Sequence, residues 1–501
     1  MQRLGFTVFR NAIANVARGG ASAIVAISLP HFLVHSLSPE RFNAWALILQ
    51  IAAYANFLDF GLQMAVSRFL AQAIELDERE RREHLIGTAL TMLSAAGALA
   101  LLLIGSVIIL LREFFHGIPL PILGEVRAAA LILTVSAALL LPASLYAGIL
   151  IGLHRNDIPA MVIGTSRLAG AMAVILASQF TQSLVALASC IAVTNLIGGF
   201  LLWSSAGRLL PGSNRLRLQP NRPMAKELAH YCAGLTVFSF AMLLVGGLDV
   251  TILGHFNFAE VGYYAIASLL VTFVISLNNS MLSALMTPLA ALHAKHAIDR
   301  IRSIVLTSTR ANVGANLLGT GVLFCFGPYL LRLWVGPHYA DLAYPIMQIL
   351  MLAQVLRMIP SAYCTMLIAT GQQLNATANS IVEALVNLGA SIVGAIYFGA
   401  EGVAFGTLIG SVAALTWVAL STVNKDRVVT ISPRERASTV LIPLACGLPI
   451  VIVWGATRHL GPSLWVVAVQ ICALVACALL MLIFADLLPE RLRQRLPMRL
   501  A

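Results

Sequence analysis

The stretch Pro30–Ala71, PHFLVHSLSPERFNAWALILQIAAYANFLDFGLQMAVSRFLA, returns 219 residues later as Asp249–Ala290, DVTILGHFNFAEVGYYAIASLLVTFVISLNNSMLSALMTPLA. In each copy an apolar helix end passes through a short polar corner into a second apolar segment. That segment opens on an aromatic–alanine pair, Trp45–Ala46 or Tyr264–Ala265, and closes on Leu–Ala. The same offset carries Gly152 and Asn156 of GLHRND onto Gly371 and Asn375 of GQQLNA. It also carries Asp59 onto Asn278, and the basic segment around Arg208 onto the one around Lys425. An offset kept through loops as well as helices marks an internal duplication.

Of 501 residues, 59% are hydrophobic and only 11% charged, which is outside the range of soluble domains and defines an all-α polytopic membrane protein. The net charge of +11 comes from 29 Arg and 3 Lys dispersed in short segments between apolar runs, so it reports topology rather than nucleic-acid binding. The seven cysteines lie inside apolar runs with no CxxC and no Cys/His pairing at metal spacing, and read as small hydrophobes. The first apolar run begins near Phe9 and is too long for a signal peptide, so it is expected to be retained.

Runs of about 20 apolar residues suffice to cross a bilayer. Fourteen are expected, at 9–35, 43–71, 85–111, 126–152, 158–180, 182–207, 229–255, 261–290, 303–331, 342–369, 375–398, 401–423, 438–457 and 463–486. This arrangement puts 22 Arg and Lys on one face and five, Arg41, Arg112, Arg127, Arg332 and Arg458, on the other. Both termini are therefore expected in the cytoplasm. The longest polar interruption, Gly207–Glu227, divides the halves: a six-helix bundle at 1–207, a basic cytoplasmic linker at 208–228 and a second bundle at 229–424. Two additional spans and a basic tail follow at 425–501. With six spans each, the repeats are parallel, related by an axis along the membrane normal, and leave a cleft between the bundles. The spacings Gly148/Gly152 and Gly402/Gly406/Gly410 read as helix-packing contacts.

Five arginines, Arg18, Arg68, Arg167, Arg310 and Arg357, and three acids, Asp59, Asp249 and Glu383, fall within the spans. A charge at mid-bilayer costs about 3 kcal/mol or more, so such residues usually face a bundle interior or a water-filled cavity. Arginine stays charged when desolvated and grips phosphate oxygens bidentately, so the set points to a cationic chamber for phosphate or pyrophosphate. The alternative is local pairing or snorkelling to the interface, which competes evenly for Arg68 near its helix end. The acids read either as sites for a coupling H+ or Na+, or as counter-ions, Asp59 to Arg18 and Glu383 to an arginine of the second half. Asp249 lies toward the far face, within reach of Arg332 or Arg458. Under the offset Arg18, Arg167, Arg310 and Arg357 fall on Val237, Val386, Thr91 and Ala138, so the charges are not duplicated. This asymmetry suits one asymmetric substrate.

No Lys follows a glycine, as a P-loop requires, and neither HExxH nor GxSxG is present. With no long polar domain either, a transporter is expected rather than an enzyme, without metal or cofactor.

At LSPERFNAWALILQIAAYANFLDFGLQMAVSRFLA, and again at GLDVTILGHFNFAEVGYYAIASLL followed by MTPLA, the sequence resembles the Wzx-type polysaccharide flippases of the multidrug/oligosaccharidyl-lipid/polysaccharide exporter superfamily. The GLHRND and GQQLNA corners and the two added C-terminal spans extend the likeness over essentially the whole chain. The resemblance implies two bundles arranged as a V, alternating access in the bacterial inner membrane, and movement of an undecaprenyl-pyrophosphate-linked oligosaccharide to the periplasmic leaflet. It also implies arginine contacts to the pyrophosphate, drive by H+ or Na+, and work alongside polysaccharide polymerase machinery in O-antigen or exopolysaccharide synthesis. It bears most directly on Arg18 and Asp59; Arg167, Arg310, Arg357 and Glu383 rest on charge alone. One departure is Asn43–Trp45, where the family usually has Gly-x-Tyr; the second half keeps Gly262 and Tyr264. Three other readings remain open: a lipid II flippase, a multidrug antiporter, and a membrane glycosyltransferase or ligase acting on the same carrier.

Overall fold

The computed structural model describes residues 2–213, 218–422, 431–460 and 463–484, and no strand occurs among them. Arg215, Arg217, Lys425, Arg427 and the arginines of the basic tail, all counted in the topology, lie outside the described residues. The chain divides into two compact units, Met1–Ala265 and Ile266–Ala501.

The first unit holds α1 (Gln2–Ser36), α2 (Pro39–Ala53), α3 (Leu62–Glu75), α4 (Arg79–Ile109) and the short α5 (Leu111–Phe114). It continues with α6 (Leu120–Gly152), α7 (Asp157–Phe180), α8 (Leu184–Leu209), α9 (Arg222–Met242) and α10 (Asp249–Phe256). α11 (Val261–Ser283) crosses the boundary. The second unit adds α12 (Met286–Ala294), α13 (Ile298–Val335), α14 (Pro337–Met358), α15 (Ser361–Ala369), α16 (Gln373–Trp417), α17 (Pro433–Thr457) and α18 (Leu464–Phe484).

Helix starts follow local chemistry. Ser38 accepts a hydrogen bond from the Arg41 amide at the head of α2, with Pro39 in the first helical position where its missing N–H costs nothing. Asn221 accepts from the Met224 amide to open α9, and Ser432 with Glu435 forms a reciprocal capping box on α17.

In the first unit α6 is the hub, packed on α2, α3, α4 and α8. Gly148 and Gly152 explain how α3 comes so close: a Cβ on either would stand 2.8 or 2.9 Å from the Gln63 or Ser67 carbonyl oxygen. Leu145, Ile149, Leu70, Leu85 and Leu93 close the core around that contact. Large apolar side chains on the outside, such as Phe180 at 89% and Leu333 at 86% exposure, suit lipid as the solvent.

Among the described residues, twelve helical stretches are long and apolar enough to cross a membrane. Three of the fourteen expected spans account for the difference in number. The run 229–255 is not one helix: α9 ends at Met242, a π-helical turn spans Leu243–Gly247, and α10 restarts at Asp249. Gly246 and Gly247 are poor helix formers, and a single π turn there breaks the ladder. The runs 375–398 and 401–423 join as α16, which folds back at Gly399 (φ 58°, ψ −135°). Across that fold Gly394 meets Gly402, Gly406 meets Ser391 and Gly410 meets Asn387, so the two arms lie antiparallel.

The 219-residue offset reappears in local geometry. The stretches Pro39–Glu75 and Phe258–Ala294 are each 37 residues long, and the next stretches begin at Arg79 and Ile298. Asp77 and His296 both take left-handed backbone (φ 51° and 53°), and each is followed by an amide, Glu78 or Ala297, that closes back on Ala73 or Leu292. At the GLHRND and GQQLNA corners the matching left-handed residues are His154 and Gly371, 217 residues apart. The backbone bonds from Arg155 to Leu150 and from Gln372 to Leu367 repeat the same helix-ending motif. The repeat thus slips by two residues within each half.

Candidate functional site

In the first unit α1 packs along α7. Gly164 on α7 permits this, since a Cβ there would lie 3.4 Å from the Arg18 Cα. One helical turn further, Arg167 donates from Nη1 to Ser22 Oγ at 2.9 Å, and Arg18 is its electrostatic neighbour. Both side chains are exposed, and among the described residues no carboxylate pairs with either. Two like charges side by side in apolar helices repel unless an anion lies between or beside them. Arg68 lies apart, its guanidinium 5.1 Å from the Tyr231 ring centre and 6.0 Å from that of Phe69.

Asp59 ends the 3₁₀ segment Tyr54–Asp59, after which Phe60 and Gly61 both take left-handed backbone and α3 begins. Its carboxylate accepts from Ser144 Oγ at 3.2 Å and from the Gln63 amide. An acid there meets the positive end of α3. The second copy has no such break: α11 runs unbroken through Asn278.

The break after α9 builds a polar cluster. Freed from the helix ladder, the Gly247 carbonyl accepts from Gln50 Nε2 and Tyr54 Oη, both at 2.7 Å. The Tyr54 hydroxyl also bonds Thr251 Oγ1. Two residues after that carbonyl, Asp249, only 6% exposed, accepts from the Tyr264 hydroxyl at 2.6 Å. Asn43, equally buried, donates to the Ala259 carbonyl at 3.0 Å and accepts from the Gly262 amide at 2.9 Å. Gln50, Tyr54 and Thr251 are absent from the sequence candidates, because polar residues scattered on apolar helices give no periodic signal. Asn43 did leave a trace as the departure from Gly-x-Tyr. Positions 43 and 262, equivalent under the duplication, touch one another: a Cβ on Gly262 would stand 2.4 Å from Asn43 Oδ1. Asn43→Ala should lower stability by about 1–3 kcal/mol, measured by thermal unfolding in detergent, because it leaves the buried Gly262 amide without its acceptor.

In the second unit Arg357 on α14 donates from Nε to Glu383 Oε1 on α16 at 2.6 Å, and its Nη2 is buried without a hydrogen-bond partner. Glu383 is thus the counter-ion of Arg357. Half-buried Arg310 stands on α13 beside a seam of buried amides. Asn312 donates to Ser361 Oγ at 2.7 Å, Asn316 to the Asn312 carbonyl at 2.8 Å, and Asn278 to Asn316 Oδ1 at 2.8 Å. Since Asn312 also reaches the Met358 carbonyl at 3.4 Å, Arg310 and Arg357 occupy adjoining turns of neighbouring helices. No cluster of three or more His, Cys, Asp or Glu occurs among the described residues.

The structure therefore brings Arg18 to Arg167 and Arg357 to Glu383, and sets Asp59, Asp249 and Arg68 in separate surroundings. Many apolar helices with uncompensated cations and polar clusters along them define a multi-pass membrane protein with a transporter fold. A family model described as "Polysaccharide biosynthesis protein" matches residues 8–291, more than half of the chain. The protein belongs to that family.

Solved structures agree on the fold. The lipid II flippase MurJ in an inward closed conformation superposes with a TM-score of 0.72 at 12% identity, over 96% of this chain and all of that one. An inward-facing multidrug resistance MATE family transporter of the MOP superfamily gives 0.68 at 15% identity, over 80% of this chain and 96% of the other. A MOP superfamily transporter from Pyrococcus furiosus, described as having a binding pocket of reversed polarity, gives 0.57 at 13%, over 83% and 95%. The fold is that of the MOP superfamily. Among curated proteins none matches the chain in sequence.

Proposed function

We propose that the protein moves a polyprenyl-pyrophosphate-linked oligosaccharide from the cytoplasmic to the periplasmic leaflet of a bacterial inner membrane, without chemical change, for cell-surface polysaccharide synthesis. The carrying observation is the Arg18–Arg167 pair, two neighbouring guanidiniums on apolar helices with no carboxylate partner among the described residues. A pyrophosphate supplies the missing negative charge on paired oxygens that planar arginine forks grip. Family membership supports the polysaccharide assignment. Arg310 and Arg357 are the candidate anion contacts of the second unit in this reading, and both termini face the cytoplasm.

The drive is uptake of H+ or Na+ at Asp249, a buried carboxylate beside a helix break whose freed carbonyl and hydroxyl neighbours hold the two helix segments together. A lipid II flippase is the second reading, favoured by the full-length match to MurJ. Both cargoes share the pyrophosphate and differ in the sugar.

Leaflet transfer of a fluorescent undecaprenyl-pyrophosphate oligosaccharide in proteoliposomes tests this. Wild type should transfer it, and Arg18→Ala or Arg167→Ala should slow transfer at least tenfold with folding intact, since one lost charged hydrogen bond is worth about 1.5–3 kcal/mol. Asp249→Asn should abolish the response to a pH or Na+ gradient. Equal transfer by wild type and Arg18→Ala would remove the anion-binding role. Preference for a lipid II analogue would select the second reading.

A further inference from the structure

The last two turns of α1 carry His31 and His35, which the i, i+4 spacing sets on one helix face. Their ring centres lie 5.0 Å apart, with the planes tilted by 53°. Two imidazoles on one tetrahedral metal ion, at metal–nitrogen distances of about 2.0–2.1 Å, have centres about 5 Å apart. The pair already stands at chelating distance.

Hydrogen bonding also selects the ligating atom. His35 Nδ1 bonds the His31 carbonyl at 2.6 Å, and a carbonyl only accepts, so Nδ1 carries the ring proton. That leaves the lone pair of the neutral ring on Nε2. An imidazole N–H held by a backbone carbonyl is the usual support of a metal-ligating histidine, since it fixes both tautomer and ring orientation. Half-buried His31 ligates through whichever nitrogen lacks the proton. The same turn is steadied from α7, where Gln179 Nε2 donates to Ser36 Oγ at 3.3 Å.

The shared scaffold does not call for this pair. Under the 219-residue offset His31 and His35 fall on Val250 and Gly254, so the second half forms its corner without them. His35 is exposed, which gives an ion in solution access to it. A different pair, His116 and His255, has ring centres 6.1 Å apart, wider than neighbouring ligands of one tetrahedral ion. No third His, Cys, Asp or Glu joins either pair among the described residues, so water fills the remaining positions of a bound ion. Imidazole nitrogens favour Zn2+, Ni2+ and Cu2+ over Mg2+ and Ca2+, which take oxygen ligands.

We propose that His31 and His35 chelate one divalent transition-metal ion, which clips the end of α1 independently of the cargo site. Full-length protein, freed of any histidine tag, would be titrated calorimetrically with Zn2+ and with Mg2+. Its Cu2+ complex would be examined by electron paramagnetic resonance, where hyperfine splitting counts the ligating nitrogens.

Zn2+ should bind and Mg2+ should not, and the Cu2+ spectrum should show two nitrogens. His31→Ala or His35→Ala should weaken the tightest Zn2+ binding at least tenfold and leave one nitrogen in the spectrum. H116A/H255A should change neither. No Zn2+ binding, equal affinity for Mg2+, equal Zn2+ affinity in His35→Ala, or loss of binding in H116A/H255A instead would each overturn the site. If His31→Ala does not fold, the exposed His35→Ala decides alone.

Discussion

Glu383→Ala should lower the unfolding stability of the protein by about 3–5 kcal/mol, the usual cost of stripping one partner from a buried ion pair. Its carboxylate is the counter-ion of Arg357 on a neighbouring helix, and only 6% of its side chain is exposed. Arg357 already leaves Nη2 buried without a hydrogen-bond partner, so removing the acid leaves a largely buried guanidinium without its counter-ion. The double variant Arg357→Met/Glu383→Leu should recover most of the loss, because exchanging both charges for apolar groups of similar volume removes the desolvation cost as well. Thermal unfolding in detergent of the two single variants and the double one gives the coupling directly. Additive losses would show that the pair contributes no coupling.

Gly402→Leu should prevent accumulation of folded protein. A Cβ at Gly402 would stand 2.0 Å from the Gly394 carbonyl oxygen, and one at Gly394 would stand 2.2 Å from that of Gly402. Backbone meets backbone here, so no rotamer change relieves the clash and the arms of α16 must part. The cost is at or above the roughly 3 kcal/mol that ends the usual overpacking range. Gly389→Ala, on the same helix with open space around its Cβ position, should be neutral or slightly stabilising. Yield of monodisperse protein on size exclusion, followed by thermal unfolding, compares them. Equal yields would mean that the arms of α16 do not rely on this contact.

Much of the fold was legible because a membrane imposes a simple code. Apolar runs of about 20 residues, polar corners and an arginine bias are one-dimensional signals, and Pro39–Glu75 with Phe258–Ala294 preserves the repeat at its expected offset. The glycine spacings of α6 and α16 also turned up as helix contacts. Less legible was the interruption at Leu243–Gly247, since hydropathy registers apolarity and not whether the hydrogen-bond ladder continues. The site followed the same division. Intramembrane charge is conspicuous in sequence, so Arg18, Arg167, Arg357, Glu383 and Asp249 could be singled out. Gln50, Tyr54, Thr251 and Asn43 could not, because a neutral polar residue in an apolar helix is unremarkable until its partner is known.

By itself the sequence determined the all-helical membrane architecture, the duplication and the excess of cations over acids within the spans. All three depend on which residues occur and at what spacing. Tertiary structure alone decided which charges meet. It joined Arg357 to Glu383 and left Arg18 beside Arg167, and it set Asn43 against its own repeat equivalent, Gly262. Pairing depends on helix rotation and on approach distances of a few ångströms. Those are fixed by glycines such as Gly164 and Gly262 meeting residues far away in the chain, and spacing along one sequence does not carry that information.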